Sequence, residues 1–276
     1  MAANDENTKS NVSSLTAQGY SCLQSAQFAR ALDLFTKAIE TDPGSARVYS
    51  LRAMSLLGLH RYSDAAKDCD KAISLDPKLP DGYLVRAQFY EWTQKYDEAI
   101  DDCNTVLRLK PDSAQAFGIR AGAYGVTNRL EKALSDINEA ISLDPSIESC
   151  YEQRAQIYLH TKDYDKAIVD CDKVLALKPH DSQFHAVRAE LFLCTKQYEK
   201  ALDDCNQALA MDPKFAQFYL IRAEVYIAMQ QRAKALEDCD KAYSLEPKLP
   251  GIAQVRAAAA TNGNSTADWW RSILPF

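Results

Sequence analysis

No apolar run in this sequence reaches the ~18 residues that a membrane span requires, so no membrane partner is expected. The first ten residues, MAANDENTKS, lack a basic start and an apolar stretch, which argues against a signal peptide there. A cytoplasmic or nuclear address follows, where the eight cysteines would stay reduced. Basic charge is short as well: 32 lysines and arginines against 38 aspartates and glutamates leave a net charge of −6. A nucleic-acid binder usually carries a basic patch or stripe, so no nucleic acid is expected as partner. No CxxC pair and no Cys/His ligand spacing is present, so no metal is expected. The four histidines, His60, His160, His180 and His185, are scattered, and lone histidines of this kind are usually turn or surface residues. No nucleophile stands with a fixed base, and the chain reads as non-catalytic, without a cofactor.

What the sequence has is a period. Prolines fall at 43, 77, 111, 145, 179, 213 and 247, each 34 residues after the last. Ala31, Ala65, Ala99, Ala133, Ala167, Ala201 and Ala235 keep the same step, and so does a small residue from Gly19 through Ala53, Ala87, Ala121, Ala155, Ala189 and Ala223 to Ala257. The stretch from Tyr164 to Pro179 shows why one unit contains a helix. Ala167, Ile168, Cys171, Val174 and Leu175 share one face at a spacing of 3.6. Asp165 suits the N-terminal end of the helix dipole, and Pro179 stops the helix because it lacks an N–H and disfavours helix in the residue before it. A first helix precedes each of these; Pro80 to about Trp92 is typical, with Tyr83, Arg86, Ala87 and Tyr90 on one face. Pro80 and Pro250 are placed to open first helices, where a missing N–H costs nothing. A single unit buries too little surface to fold alone, so the repeat count sets the architecture.

A period of 34 with a large residue at position 4, a small one at 8, an aromatic at 11, alanine at 20 and proline at 32 resembles the tetratricopeptide repeat. The resemblance implies an all-α fold: a right-handed α-solenoid of seven helix-turn-helix repeats plus a C-terminal capping helix. Residues 1–11 are polar and expected to be a disordered tail. Seven units then run over 12–249, and 250–276 hold the capping helix and an apolar C-terminal tail. That tail contains Trp269, Trp270, Ile273, Leu274 and Phe276. It either folds back over the alanine-rich cap or docks, into the chain's own groove, onto a partner or onto a second copy.

Two registers need partners or explanations. Cys69, Cys103, Cys171, Cys205 and Cys239 share position 24 and read as small buried hydrophobes; Cys22, Cys150 and Cys194 lie on first helices. Position 7 is arginine from Arg52 through Arg86, Arg120, Arg154, Arg188 and Arg222 to Arg256. Position 23 is aspartate at Asp68, Asp102, Asp136, Asp170, Asp204 and Asp238. An antiparallel hairpin turning near position 16 brings 7 and 23 together, which predicts a ladder of Arg–Asp pairs; a functional basic stripe would require unpaired guanidiniums in solvent.

The units are similar to those of heat-shock co-chaperones, whose repeats hold a C-terminal carboxylate with lysines, asparagines and an arginine at set positions. Here those places hold Thr16, Tyr20, Leu51, Asp81 and Val85, so the carboxylate clamp is absent. The resemblance puts the concave face at positions 2, 5, 6, 9, 12 and 13 of first helices. The groove expected from it comprises Leu51, Met54, Leu84, Val85, Gly118, Ile119, Gly122, Gly125, Gln153, Val187, Glu190, Ile221 and Glu224, with Glu152 adding acidity. Gly118, Gly122 and Gly125 fall on one stripe, which marks either a close-approaching backbone or a weak helix. The function expected is a protein–protein interaction scaffold that takes a peptide or helical segment in this groove. The alternative is an assembly subunit that self-associates or docks through Trp269–Phe276.

Overall fold

The computed structural model of the chain describes residues 2–261, with side chains from Ser10 onward. The chain falls into two compact units, Met1–Pro145 and Ser146–Phe276. Every regular element among the described residues is a helix. In the first unit four antiparallel hairpins follow one another: α1 (Ala2–Gln24) with α2 (Phe28–Thr41), α3 (Ala46–Gly58) with α4 (Tyr62–Leu75), α5 (Pro80–Trp92) with α6 (Tyr96–Leu109), and α7 (Ala114–Val126) with α8 (Leu130–Leu143). The second unit holds three more and a last single helix: α9 (Glu148–His160) with α10 (Tyr164–Leu177), α11 (Ser182–Cys194) with α12 (Tyr198–Met211), α13 (Ala216–Ala228) with α14 (Arg232–Leu245), then α15 (Ile252–Ala260). Each unit is an all-α solenoid of stacked hairpins.

The small residues explain the close packing within a hairpin. Ala53, Ala87, Ala189 and Ala223 on first helices, and Ala65, Ala99, Ala201 and Ala235 on second helices, are fully buried. At the first hairpin the small residue is Gly19, and a Cβ there would lie 2.6 Å from the ring of Phe35. The position-24 cysteines lie in the same seam. Burial pushes the thiols of Cys69, Cys103 and Cys171 up to about 12 and that of Cys239 to about 11, and it raises that of Cys205 well above the ordinary thiol range. Such thiols stay protonated and unreactive at neutral pH.

Two kinds of turn punctuate the array. Second helices end where proline forces extended backbone on the residue before it: Asp42, Asp76 and Asp144 take φ near −134°, −142° and −142°. First helices end in a Schellman turn. In the second hairpin the His60 N–H donates to the Leu57 carbonyl and the Arg61 N–H to the Leu56 carbonyl. The residue at the left-handed position is never glycine: Ala26, His60, Gln94, Asn128, Lys162, Lys196 and Gln230 take φ of 54–64°. A non-glycine residue there costs about 1 kcal/mol. Lys162→Gly is therefore expected to raise stability by about 0.5–1 kcal/mol in urea denaturation, although glycine is the worse residue almost anywhere else.

Two boundaries differ from the sequence reading. Residues 2–11, expected to be disordered, continue α1, which begins at Ala2. They contain no proline or glycine, and extending an anchored helix costs far less than nucleating one. Pro250 does not open the last helix. Gly251 takes φ 90° instead, and α15 starts at Ile252. The apolar tail at Trp269–Phe276, and both roles considered for it, lie outside the described residues.

Candidate functional site

The first helices of successive hairpins touch one another directly: α3 meets α5 and α5 meets α7 in the first unit, and α11 meets α13 and α13 meets α15 in the second. No comparable contact joins α4 to α6, α6 to α8, α10 to α12 or α12 to α14. The hairpins from α3 to α8, and those from α11 to α15, are thus pinched together on the first-helix side and splayed on the other. The first helices form the inner wall.

The residues expected to line that wall separate into two sets. Position 6 belongs to the core. Leu51 is 6% exposed and packs with Val48 and Phe35, Val85 is 2% exposed among Ala53 and Leu56, Ile119 packs with Ala87 and Cys103, and Ile221 is 1% exposed beside Phe218 and Val225. Their side chains fill the seam between neighbouring hairpins, and the apolar stripe expected from them is interior. Met54 is exposed, and Leu84, Gly118, Gly122, Gly125, Gln153 and Val187 are half-buried. A Cβ placed on Gly125 would meet nothing within 4 Å.

The acidic groups also differ from expectation. Glu152 is half-buried, but Glu190 and Glu224 are 2% and 5% exposed. They present no acidic surface to a ligand. Burial and the neighbouring Glu224 raise the Glu190 carboxyl well above the usual carboxylate range. Position 12 of the third hairpin supplies an acid the sequence reading missed, Glu91 on α5. Burial pushes its carboxyl up to about 7, from 4.5. Because the folded value exceeds the unfolded one, the fold prefers the neutral acid. Stability linked to Glu91 is full below pH about 4.5 and is lost as pH rises through about 7. Glu91→Gln is expected to stabilise the chain by about 1–3 kcal/mol at pH 8 and by nothing near pH 4. Thermal melts at the two pH values check this, and a pH-independent difference would contradict it.

Behind the wall runs the charge ladder. All six expected pairs form, from Arg52–Asp68 to Arg222–Asp238. In each, Nε donates to Oδ2 at 2.7–2.9 Å and Nη2 donates to Oδ1 at 2.7–2.9 Å. Hydrogen bonding to the paired aspartate raises each of these guanidiniums above its ordinary value. A basic stripe is ruled out, because the charges are spent on their partners.

The ladder also runs between hairpins, which the sequence reading did not foresee. Nη1 of Arg86 reaches Asp70 at 2.8 Å, that of Arg120 reaches Asn104 at 2.7 Å, that of Arg188 reaches Asp172 at 2.6 Å, and that of Arg222 reaches Asn206 at 2.8 Å. These acceptors stand at position 25 of the preceding hairpin, so each of these four arginines clamps its own aspartate and an aspartate or asparagine of its neighbour. Aromatic rings at positions 4 and 11 flank the clamp: Arg86 lies over Tyr83 and Tyr90, and Arg222 over Tyr219 and Tyr226. Arg256 on α15 pairs backward with Asp240 at 3.0 Å.

His185 is the exception among the histidines, because it is buried. It occupies the aromatic position 4 of its hairpin, 2.9 Å from Asp204 through Nδ1 and 3.4 Å from the Pro179 carbonyl through Nε2. The Tyr219 hydroxyl makes the equivalent bond to the Pro213 carbonyl one hairpin later. His185 is a structural replacement for that tyrosine. Among the described residues no three His, Cys, Asp or Glu side chains converge as metal ligands would, and no helix is long and apolar enough to cross a membrane.

Profiles of the tetratricopeptide repeat match residues 16–80, 80–113, 149–181 and 216–249, more than half of the chain. Residues of the chain are 39% identical over 56 positions to the human small glutamine-rich tetratricopeptide repeat-containing protein beta. That stretch is 20% of this chain and 18% of the human protein. The fold is similar to a chain in the APC/C hetero-tetramer Cut9–Hcn1, with TM-score 0.71 at 16% identity, covering 88% of this chain and 48% of that one. It is also similar to pilF of Pseudomonas aeruginosa, with TM-score 0.68 at 18% identity, covering 77% and 96%. At those identities the likeness speaks to fold alone. Repeats of this kind generally mediate contact between proteins. The 34-residue hairpins, their alanine seams and the matched profiles agree: this chain belongs to the tetratricopeptide repeat family.

Proposed function

We propose that the chain is a non-catalytic scaffold that recruits a protein by holding a peptide or helical segment against its first helices. The observation that carries this is the asymmetric stacking, which pinches first helices together and makes them the inner wall of each unit. A rigid wall made by the folded array lowers the entropy a flexible partner loses on binding. In the first unit the accessible part of the wall combines Met54, Leu84 and the glycine stripe Gly118, Gly122 and Gly125. A stripe without side chains lets a partner backbone come close, which explains glycines that cost helix stability by about 0.5–1 kcal/mol each. In the second unit Gln153 and Val187, at position 6, are half-buried where that position is apolar and interior in other hairpins.

Gly122→Leu fills this stripe. It is expected to lower partner capture at least about tenfold, equivalent to ~1.4 kcal/mol, while circular dichroism and the melting temperature stay close to the parent. The partner is first isolated by pull-down and mass spectrometry, and its affinity for both chains is then measured by calorimetry. Equal affinities would overturn the reading.

A further inference from the structure

The charge ladder changes at its first step. Position 25 gives the next hairpin's arginine an acceptor at Asp70, Asn104, Asp172 and Asn206, each 2.6–2.8 Å from Nη1. In the first hairpin that position is Thr36. A threonine oxygen sits on Cβ, one bond nearer the backbone than an aspartate or asparagine oxygen, and it carries no charge. Arg52 keeps Asp68, through Nε at 2.7 Å and Nη2 at 2.8 Å, but among the described residues its Nη1 has no acceptor.

The chain is also open at this place. Residues of α2, α3 and α4, Thr36 and Arg52 among them, line a cleft of about 390 Å³. Two further cations line it, Arg61 and Lys67, and both use the same carboxylate. Arg61 donates to Asp64 Oδ2 through Nε at 3.1 Å and Nη2 at 2.7 Å. Lys67 Nζ stands 3.6 Å from Asp64 Oδ1, beyond hydrogen-bond length. Among the described residues the cleft thus holds two cationic donors without a hydrogen-bonded acceptor, Arg52 Nη1 and Lys67 Nζ. One like charge opposes an incoming anion there, the exposed Asp33.

A guanidinium N–H and an ammonium in one cleft suit a carboxylate, the group that Asp70 and Asp172 present to the same Nη1 of later arginines. Repeats of this kind generally mediate contact between proteins, which favours a protein carboxylate over a small ion. We propose that this cleft receives a glutamate or aspartate side chain from an acidic segment of a partner, with Arg52 Nη1 and Lys67 Nζ as its donors. The partner's carboxylate then completes the first step of the ladder from outside. The inference does not rest on the first-helix wall, because α2 and α4 line this cleft as well as α3, and either site can fail alone.

The probe is a fluorescein-labelled hexaglutamate peptide with an amidated C-terminus, titrated with the full chain at low ionic strength and followed by anisotropy. Thr36→Asn gives Nη1 the internal acceptor that Asn104 and Asn206 give their arginines, with no change in charge. It is expected to weaken binding at least about tenfold, whereas Thr36→Val leaves Nη1 as it is and stays within about twofold of the parent. Lys67→Gln should weaken binding about threefold or more, and Asp33→Asn should tighten it about twofold. Circular dichroism checks that each variant is folded. No binding by the parent, or equal affinities for Thr36→Asn and Thr36→Val, overturns the proposal. Inorganic phosphate should displace the peptide no better than sodium chloride of equal ionic strength; stronger displacement would make the cleft a site for small oxyanions and overturn the assignment to a partner's side chain.

Discussion

Asp204→Ala is expected to cost about 3–5 kcal/mol, the range for removing one partner of a buried ion pair. Asp204 is 1% exposed and accepts from Arg188 Nε and Nη2, each at 2.7 Å, and from His185 Nδ1 at 2.9 Å. Alanine would strand a guanidinium and an imidazole in the seam between α11 and α12. Arg188 would retain only Asp172, whose side chain is 54% exposed. The contrast is the control: Asp172→Ala removes an exposed acceptor and should cost less than about 1 kcal/mol. Stability in a repeat array is close to a sum over hairpins and their interfaces. The loss should therefore show in urea as early unfolding within the second unit, visible by hydrogen exchange on α11 and α12. Equal costs for the two substitutions would mean that the ladder contributes nothing through burial.

The second large effect opposes helix propensity. Alanine is better than glycine inside a helix by about 1 kcal/mol, yet Gly19→Ala is expected to destabilise by about 1–3 kcal/mol. The new methyl would lie 2.6 and 2.7 Å from two atoms of the Phe35 ring, and that ring is fully buried. Phe35→Ala alone should cost about 3–5 kcal/mol through the cavity it leaves. Together the two changes should cost less than their sum, because the methyl then occupies space the ring vacated. Thermal unfolding of the four chains measures this. Strict additivity would show that Gly19 and Phe35 do not compete for one volume.

The array was legible because its signals are local and repeat. Proline fixes the backbone before it, alanines at positions 8 and 20 set helix approach, and the offset between Arg52 and Asp68 follows from hairpin geometry. Each feature appears several times, so coincidence is excluded. The wall was less legible. Position 6 faces the neighbouring hairpin, and whether Val85 or Ile221 is interior depends on how tightly first helices stack, which no single unit records. The same applies to Glu190 and Glu224: their burial is a property of two hairpins together. Two misses had readable signals. Aspartate or asparagine recurs at position 25 from Asp70 through Asn104, Asp172 and Asn206 to Asp240, in step with the arginines. His185 stands in a column otherwise filled by Tyr49, Tyr83, Phe117, Tyr151 and Tyr219, which marks it as a core replacement. The first ten residues misled for a physical reason: polar composition reports on burial, while a helix already anchored can run on without any.

The central claim is that partners use the first-helix side. Hydrogen–deuterium exchange of the full chain with and without its captured partner tests it most directly. The account predicts new protection on first helices such as α5 and α7, with second helices such as α6 and α8 unchanged. Protection confined to second helices would contradict it.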